Sequence, residues 1–419
     1  MQILIIGKSA NANALAQKIK ETQPEDIIFI APGNQAVGAF ATCIDIQPNN
    51  IDELVDFAQA NEINITIICD DEAIEEGITD AFNEAGLMVF GPEKESARFA
   101  TSKAVGKRFM YKLKMPTPKF GIFDKESSAR EYIKNATYPI FIKSERHEAG
   151  ENNHLCLSER EANNILNKLF SIDSPKVIIE NYISGREFSF YAVTDGYNAL
   201  PICSVVPYKY SSEKDGGSIT KGVGAYAPAS FADEEITCQI LDTVIYPALN
   251  EIEKNASPYV GIIGVDLILD NNNNLQVIEF NTFFNEPDAE CILELLNEDI
   301  VQVFRACTVG SLADDYDYLE INNKSAVSVL LTKTPKYLFD NEQSEVTGLQ
   351  ELEDEIKVTL YNSINKNNII KAKAGRVLSL TSTGSTLSQA KNKLAQWIDC
   401  VNFDGKKYRK DILGSTYER

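Results

Sequence analysis

The chain has 419 residues, with 40 Lys+Arg against 61 Asp+Glu and a formal net charge of −21. Such a field repels nucleic acid and anionic membrane, which excludes a general binder of either but leaves room for a local basic pocket around one small phosphorylated ligand. A composition that is 44% hydrophobic and 24% charged is globular, and at roughly 100–200 residues per domain it predicts two to four domains.

Gln2–Ile6 is an apolar run that passes straight into a loop, and reads as a strand, not a leader sequence. A helix is predicted over Ala12–Glu21, a strand over Asp26–Ala31 before the turn Pro32-Gly33-Asn34, and an amphipathic helix over Ile51–Asn61. Asn64–Cys69 is a further strand, Glu75–Ala85 a helix, and Leu87–Phe90 a short strand stopped by Gly91-Pro92. This β-α-β-α order predicts an open, mostly parallel α/β sheet with helices on both faces.

After Pro116-Thr117-Pro118 the pattern changes. Ile140–Lys143, Lys176–Ile179 and Glu187–Thr194 are short strands around a helix at Ser158–Leu169. Ser211–Ser218 and Lys221–Tyr226 are Gly- and Ser-containing segments, and a long helix is predicted from Asp233 to Lys254. Gly261–Leu269 and Leu275–Phe280 are apolar strands separated by Asp270 and four Asn, a hairpin signal. Strands at Ala326–Thr332 and Arg376–Ser382 and a helix at Leu387–Cys400 follow, and read as packing that closes one side of a cleft.

No apolar run approaches the roughly 20 residues of a membrane span. The eight cysteines are scattered without a C-x-x-C, a poor zinc or disulfide pattern, and favour a cytoplasmic setting. His147 and His154 are the only histidines, so no His-centred hydrolase triad is expected.

The most informative stretch is the hairpin. Alternation along a strand puts Glu279 and Asn281 on one face, and Asp266 on the partner strand can meet them. Two carboxylates and an amide oxygen are hard ligands that suit Mg²⁺ with phosphate oxygens in its remaining positions. The alternative is a half-solvated hairpin whose outer face merely happens to be polar.

Glu279 thirteen positions after Asp266, with Asn281 two further on, is similar to the metal-binding hairpin of the ATP-grasp ligases. Those enzymes activate a carboxylate as an acyl phosphate and couple it to an amine. Val177–Phe190, which contains Glu180-Asn181-Tyr182-Ile183-Ser184-Gly185-Arg186-Glu187, resembles their adenine- and ribose-binding strand, hinge and strand. Ala31-Pro32-Gly33-Asn34, Phe90-Gly91-Pro92 before Ser102-Lys103, and Gly222-Val223-Gly224-Ala225-Tyr226-Ala227-Pro228 narrow the resemblance. With Gly375-Arg376-Val377-Leu378 and Phe403–Ile412 they point, in order along the chain, to the phosphoribosylamine–glycine ligase (glycinamide ribonucleotide synthetase) family.

The resemblance implies an ATP-grasp fold. Residues 1–102 would form the N-terminal parallel α/β domain, 103–324 the ATP-grasp domain with 119–190 as its lid, and 325–419 a small C-terminal α+β domain. It implies that Lys103 and Lys143 hold the nucleotide phosphates. Glu180 would lie near the adenine amino group, Ile183 in the hinge and Glu187 near the ribose hydroxyls. Lys209, Pro287 and Asp288 fall in the family's catalytic segments. Glu279 and Asn281 match its metal ligands, whereas Asp266 matches other ATP-grasp enzymes, since this family usually has a small residue there. The implied cofactor is Mg²⁺ or Mn²⁺, with ATP as co-substrate. The implied reaction joins glycine to 5-phosphoribosylamine through an acyl phosphate, in the cytoplasm. Its partners would be ATP, an amino acid and a phosphorylated amine, with no nucleic acid or membrane, in a monomer or small homo-oligomer.

Three segments depart from the family. The loop after the first strand, Gly7-Lys8-Ser9, has one glycine instead of several, which weakens it as a phosphate cradle. The triphosphate loop carries Glu151 where a lysine is usual, a reversal of sign that Arg146 or His147 would have to offset. The segment after Asn281 has lost an Arg to Phe284, and Pro207-Tyr208-Lys209-Tyr210 keeps only the lysine of its motif. An active ligase, a ligase with another substrate, and a nucleotide-binding relative without catalysis all remain open at this point.

Overall fold

The computed structural model describes residues 1–33, 40–145, 153–171, 176–334, 343–366 and 369–414. Strands β1 (Gln2–Gly7), β2 (Ile27–Pro32), β3 (Thr42–Cys43), β4 (Ile65–Ile68) and β5 (Val89–Phe90) form a parallel sheet in the order β3-β2-β1-β4-β5. Helices cover both faces, so Ile3 and Ile5 are fully buried on one side and Leu4 and Ile6 on the other. The helix expected over Glu75–Ala85 is two, Asp71–Glu76 and Ile78–Glu84. Gly77 between them sits at φ +89, a left-handed conformation that ends the first helix and redirects the chain.

Strands β6 (Phe120–Phe123), β7 (Ile140–Ser144), β8 (Asn153–Cys156) and β9 (Val177–Asn181) make an antiparallel sheet in the order β6-β9-β7-β8. Helices Glu126–Lys134 and Glu159–Leu169 bury Ile133 and Leu166 against it.

The central sheet is built from β10 (Gly185–Asp195), β11 (Ala199–Ser212), β12 (Gly216–Ala227), β13 (Val260–Asp270), β14 (Leu275–Asn281) and β15 (Ser325–Lys333). The Gly- and Ser-containing segments after Tyr210 thus fold as the tip of a long β11–β12 hairpin. The long helix expected from Asp233 is continuous from Glu234 to Glu253 but widens over Leu241–Ile245, where Pro247 lacks the N–H that an ordinary turn would use.

The C-terminal part adds β16 (Ser344–Glu345), β17 (Lys357–Leu360), β18 (Ser363–Lys366), β19 (Ile369–Ala372), β20 (Gly375–Gly384) and β21 (Lys406–Lys407). It forms no independent main layer. β15, β20 and β17 extend the central sheet, giving β14-β13-β10-β11-β12-β15-β20-β17 with β21 beside β15, while β16, β19 and β18 form a small separate sheet. One apolar core therefore runs from Phe188 through Tyr226 and Val327 to Leu378 and Leu394. The N-terminal sheet joins the centre through Phe90, which stacks on Phe304 at 3.9 Å.

Candidate active site

Antiparallel pairing of β13 and β14 sets Asp266 opposite Glu279 and Gly264 opposite Asn281, so the three polar side chains share one region. A Cβ at residue 264 would lie 2.8 Å from the Tyr191 ring and 3.1 Å from the Asn281 Cβ, and only glycine leaves that space. Asp266 is 1% exposed. Its Oδ1 accepts from Ser189 Oγ at 2.8 Å and from Asn281 Nδ2 at 3.3 Å, and its Oδ2 from Lys209 Nζ at 2.7 Å. Glu279 Oε2 accepts from Lys103 Nζ at 2.9 Å.

Four lysines converge on this hairpin from separate elements. The helix Lys103–Lys112 supplies Lys103 and Lys107, four residues apart and hence on one face. Its N-terminus is fixed by Ser102, whose Oγ accepts from Val105 N at 3.2 Å, and by Glu145, which accepts from Ala104 N at 2.8 Å. Lys143 comes from β7 and Lys209 from β11. Glu180 on β9 pairs with Lys143 and, at 2.7 Å, with Lys107; all three are nearly inaccessible. Glu187 on β10 pairs with Lys209 at 2.8 Å.

The charges tune one another. Burial alone would raise the Glu279 carboxyl, but Lys103, Lys143 and Lys209 hold it far below the usual carboxylate range. Burial would also lower Lys209, and Asp266, Glu187 and Glu279 more than offset it, raising the ammonium well above its ordinary value. For Lys107 burial, aided by the neighbouring Lys143, wins over Glu180, and its pKa falls.

Lys103, Lys143, Glu180, Glu187, Lys209, Asp266, Glu279 and Asn281 are thus brought into one cleft. Ile183 is half-buried in the link between β9 and β10. Asp288 begins the helix Asp288–Leu295. It is 1% exposed, receives the Tyr191 hydroxyl at 2.7 Å, and burial pushes its carboxyl up to about 7. Pro287 is buried beside it. The Glu180 carboxylate likewise faces two lysines and not open space. Arg146, His147 and Glu151 lie outside the described residues.

Lys107, Ser189 and Glu145 were not singled out in the sequence. Helical spacing from Lys103 could have found Lys107, and strand alternation from Glu187 could have found Ser189. Glu145 offered no such signal, because its bond to the helix start spans separate elements.

Among the described residues no group of three or more His, Cys, Asp or Glu surrounds one point, so a cation here would rest on two carboxylates and an amide. That all-oxygen donor set fits a hard divalent ion that completes its shell with water and phosphate. A larger cavity lies between the β11–β12 hairpin and the C-terminal part, with Lys221, Arg376, Lys407 and Lys410 in its lining. Arg376 reaches across it to Glu286 and, at 3.1 Å, to the Gly222 carbonyl.

Comparison with known proteins covers nearly the whole chain. Residues 1–100, 101–289 and 339–414 match the N domain, the ATP-grasp (A) domain and the C domain of phosphoribosylglycinamide synthetase. The phosphoribosylamine–glycine ligase of Caldanaerobacter subterraneus subsp. tengcongensis is 30% identical over 417 residues, spanning 98% of this chain and 99% of the relative. That of Haemophilus influenzae is 31% identical, spanning 100% and 99%. The crystal structure of phosphoribosylamine–glycine ligase from Thermotoga maritima superposes with a TM-score of 0.82 at 24% identity, over 98% of this chain and 100% of that one. The biotin carboxylase domain of Hydrogenobacter thermophilus 2-oxoglutarate carboxylase, solved with MgADP, gives a TM-score of 0.71 at 16% identity, over 98% and 92%. At those identities the two structures establish the ATP-grasp fold.

Proposed function

The chain belongs to the phosphoribosylglycinamide synthetase family, and on that footing we propose that it is an ATP-dependent carbon–nitrogen ligase of purine biosynthesis, joining glycine to 5-phosphoribosylamine. The observation that carries the reading is the family match along the full chain, coupled to a cleft where four lysines and an oxygen-rich hairpin converge. A glycine carboxylate oxygen attacks the γ-phosphorus of ATP, releasing ADP and leaving glycyl phosphate. The amine then attacks the glycyl carbonyl carbon and gives up a proton as the amide C–N bond forms, while the acyl C–O bond breaks and phosphate departs with the former carboxylate oxygen.

Lys103 and Lys143 are the cations for the nucleotide phosphates, and the hinge around Ile183 is the place for the base. Asp266, Glu279 and Asn281 would hold Mg²⁺ or Mn²⁺, which when bound supplies charge neutralisation at the phosphates. Lys209, anchored between Glu187 and Asp266, is the charge closest to that hairpin from the β11 side. The six lysines and arginines in the lining of the larger cavity outnumber its four acids, which suits the phosphorylated amine. No described helix is long and apolar enough to cross a membrane; unpatterned cysteines fit a reducing cytoplasm.

The test is ADP release from ATP, divalent cation and glycine, with and without freshly generated phosphoribosylamine. Formation of ADP only with both co-substrates is expected. Tight ATP binding without any ADP would shift the reading to a ligase with another substrate or to a nucleotide-binding relative without catalysis, the latter favoured by Glu151 in the triphosphate loop. A screen of amines and amino acids then separates those two.

A further inference from the structure

Lys103, Lys107, Lys143 and Lys209 meet Glu180, Glu187, Asp266 and Glu279, so these side chains of the cleft cancel to zero formal charge. The pairing is selective at the hairpin. Each of its two carboxylates already carries an ammonium: Lys103 on Glu279 at 2.9 Å and Lys209 on Asp266 at 2.7 Å. The second oxygen of Asp266 is occupied as well, by Ser189 and Asn281.

An ammonium and a divalent ion compete for the same carboxylate oxygen. A metal arriving alone must expel Lys209 from an acid that is 1% exposed, and the expelled ammonium then lies near a divalent charge. Nucleotide phosphates remove that obstacle, because they give both lysines new anions at the moment the carboxylates turn to the metal. Lys209 also has a ready pivot, since Glu187 holds it at 2.8 Å and retains it when Asp266 lets go.

We propose that Lys103 and Lys209 are internal cations that hold the metal position, so that the divalent ion and the nucleotide bind cooperatively and the metal alone binds weakly. The proposal rests on the ATP and metal reading given above. By linkage, whatever the nucleotide adds to metal affinity the metal must add to nucleotide affinity.

The experiment titrates Mn²⁺ into the full-length protein and reads free Mn²⁺ by electron paramagnetic resonance, with and without ADP, and subtracts the Mn²⁺ that the same ADP binds in the absence of protein. Saturating ADP is expected to tighten Mn²⁺ binding by about tenfold or more in the unmodified chain, within the usual range of such couplings. Lys209→Met is expected to tighten Mn²⁺ binding in the absence of ADP, again about tenfold, and to reduce the coupling. Lys209→Arg, which keeps the competing charge, should behave as the unmodified chain does. Lys103→Met, acting through Glu279, gives the same sign and decides the matter should Lys209→Met fail to fold by circular dichroism. Metal binding without ADP that is unchanged or weaker in the methionine variants overturns the proposal, as does equal Mn²⁺ affinity with and without ADP. Absence of Mn²⁺ binding even with ADP would instead remove the metal reading itself.

Discussion

Glu180 has two buried lysines and almost no water: its side chain is 2% exposed, against 4% for Lys107 and 6% for Lys143. Burial opposes its ionisation, yet Lys143 and Lys107 together keep the carboxyl below its ordinary pKa. Removing one member of such a triad is therefore not equivalent to removing another. Lys107→Met leaves Glu180 paired with Lys143, and a flexible side chain of similar volume should cost less than about 1.5 kcal/mol. Glu180→Leu strands two ammonium groups in a dry pocket, for which about 3–5 kcal/mol is expected. Urea unfolding of the two variants measures the contrast. Equal losses would mean that Glu180 is not the shared counter-ion.

The helix Asp288–Leu295 raises the same issue for acids. Asp288 accepts from Tyr191, and Glu290 accepts from Tyr361 at 2.5 Å and from Ser379 at 3.1 Å. The second oxygen of each has no hydrogen-bond partner among the described residues. Burial accordingly pushes both carboxyls up to about 7. The unfolded chain releases those protons near pH 4, so from about pH 4 to 7 it binds fewer protons than the folded one. These two groups thus favour the fold most at the acid end and lose that contribution as pH rises to about 7. Glu180 and Glu279, whose carboxyls are depressed, act with the opposite sign, but only below the ordinary carboxylate range. Between pH 5 and 7, roughly, the double variant Asp288→Asn, Glu290→Gln should show a flatter dependence of urea stability on pH than the unmodified chain. Identical slopes would place the titration elsewhere. Elements such as the β13–β14 hairpin were legible because apolar alternation and an Asp-Asn turn fix the register locally. The break at Gly77 was less so, since a glycine within a helical pattern gives no sign that it will turn left-handed. The strands at the β11–β12 tip were hidden by Ser and Gly, and are strands because each supplies the other's hydrogen bonds. In the site, residue chemistry was readable but pairing was not: Lys103 finds Glu279 across 176 positions, and no local pattern encodes that.

At the scale of the whole molecule the last hundred residues are part of the central sheet, and this decides how the chain can be divided. β12 is covered by β15 through pairs from Gly224–Val329 to Ala227–Ala326, and β15 is covered in turn by β20. Tyr226, Val327, Leu378 and Leu394 belong to one buried cluster, so no apolar boundary separates the C-terminal part. Polar ties reinforce the junction. Arg376 joins Glu286, whose other oxygen accepts from Ala10 N at the start of a helix in the N-terminal part. Glu290 meets Tyr361 and Ser379, and Asn13 donates to the Leu360 carbonyl at 2.8 Å. A chain cut after Lys324 would unpair the β12 edge over Gly224–Ala227 and bare the apolar side chains of the shared core, a combination that favours aggregation. Expressed alone, residues 1–324 are therefore expected to be largely insoluble, or to unfold without the single cooperative transition of the full chain. Co-expression with residues 325–419 should recover soluble complex, because the missing strand pairs in trans with the same register. Soluble fraction and calorimetric unfolding check both outcomes. A stable, cooperative fragment ending at Lys324 would show instead that the continuous sheet conceals two separately folding halves.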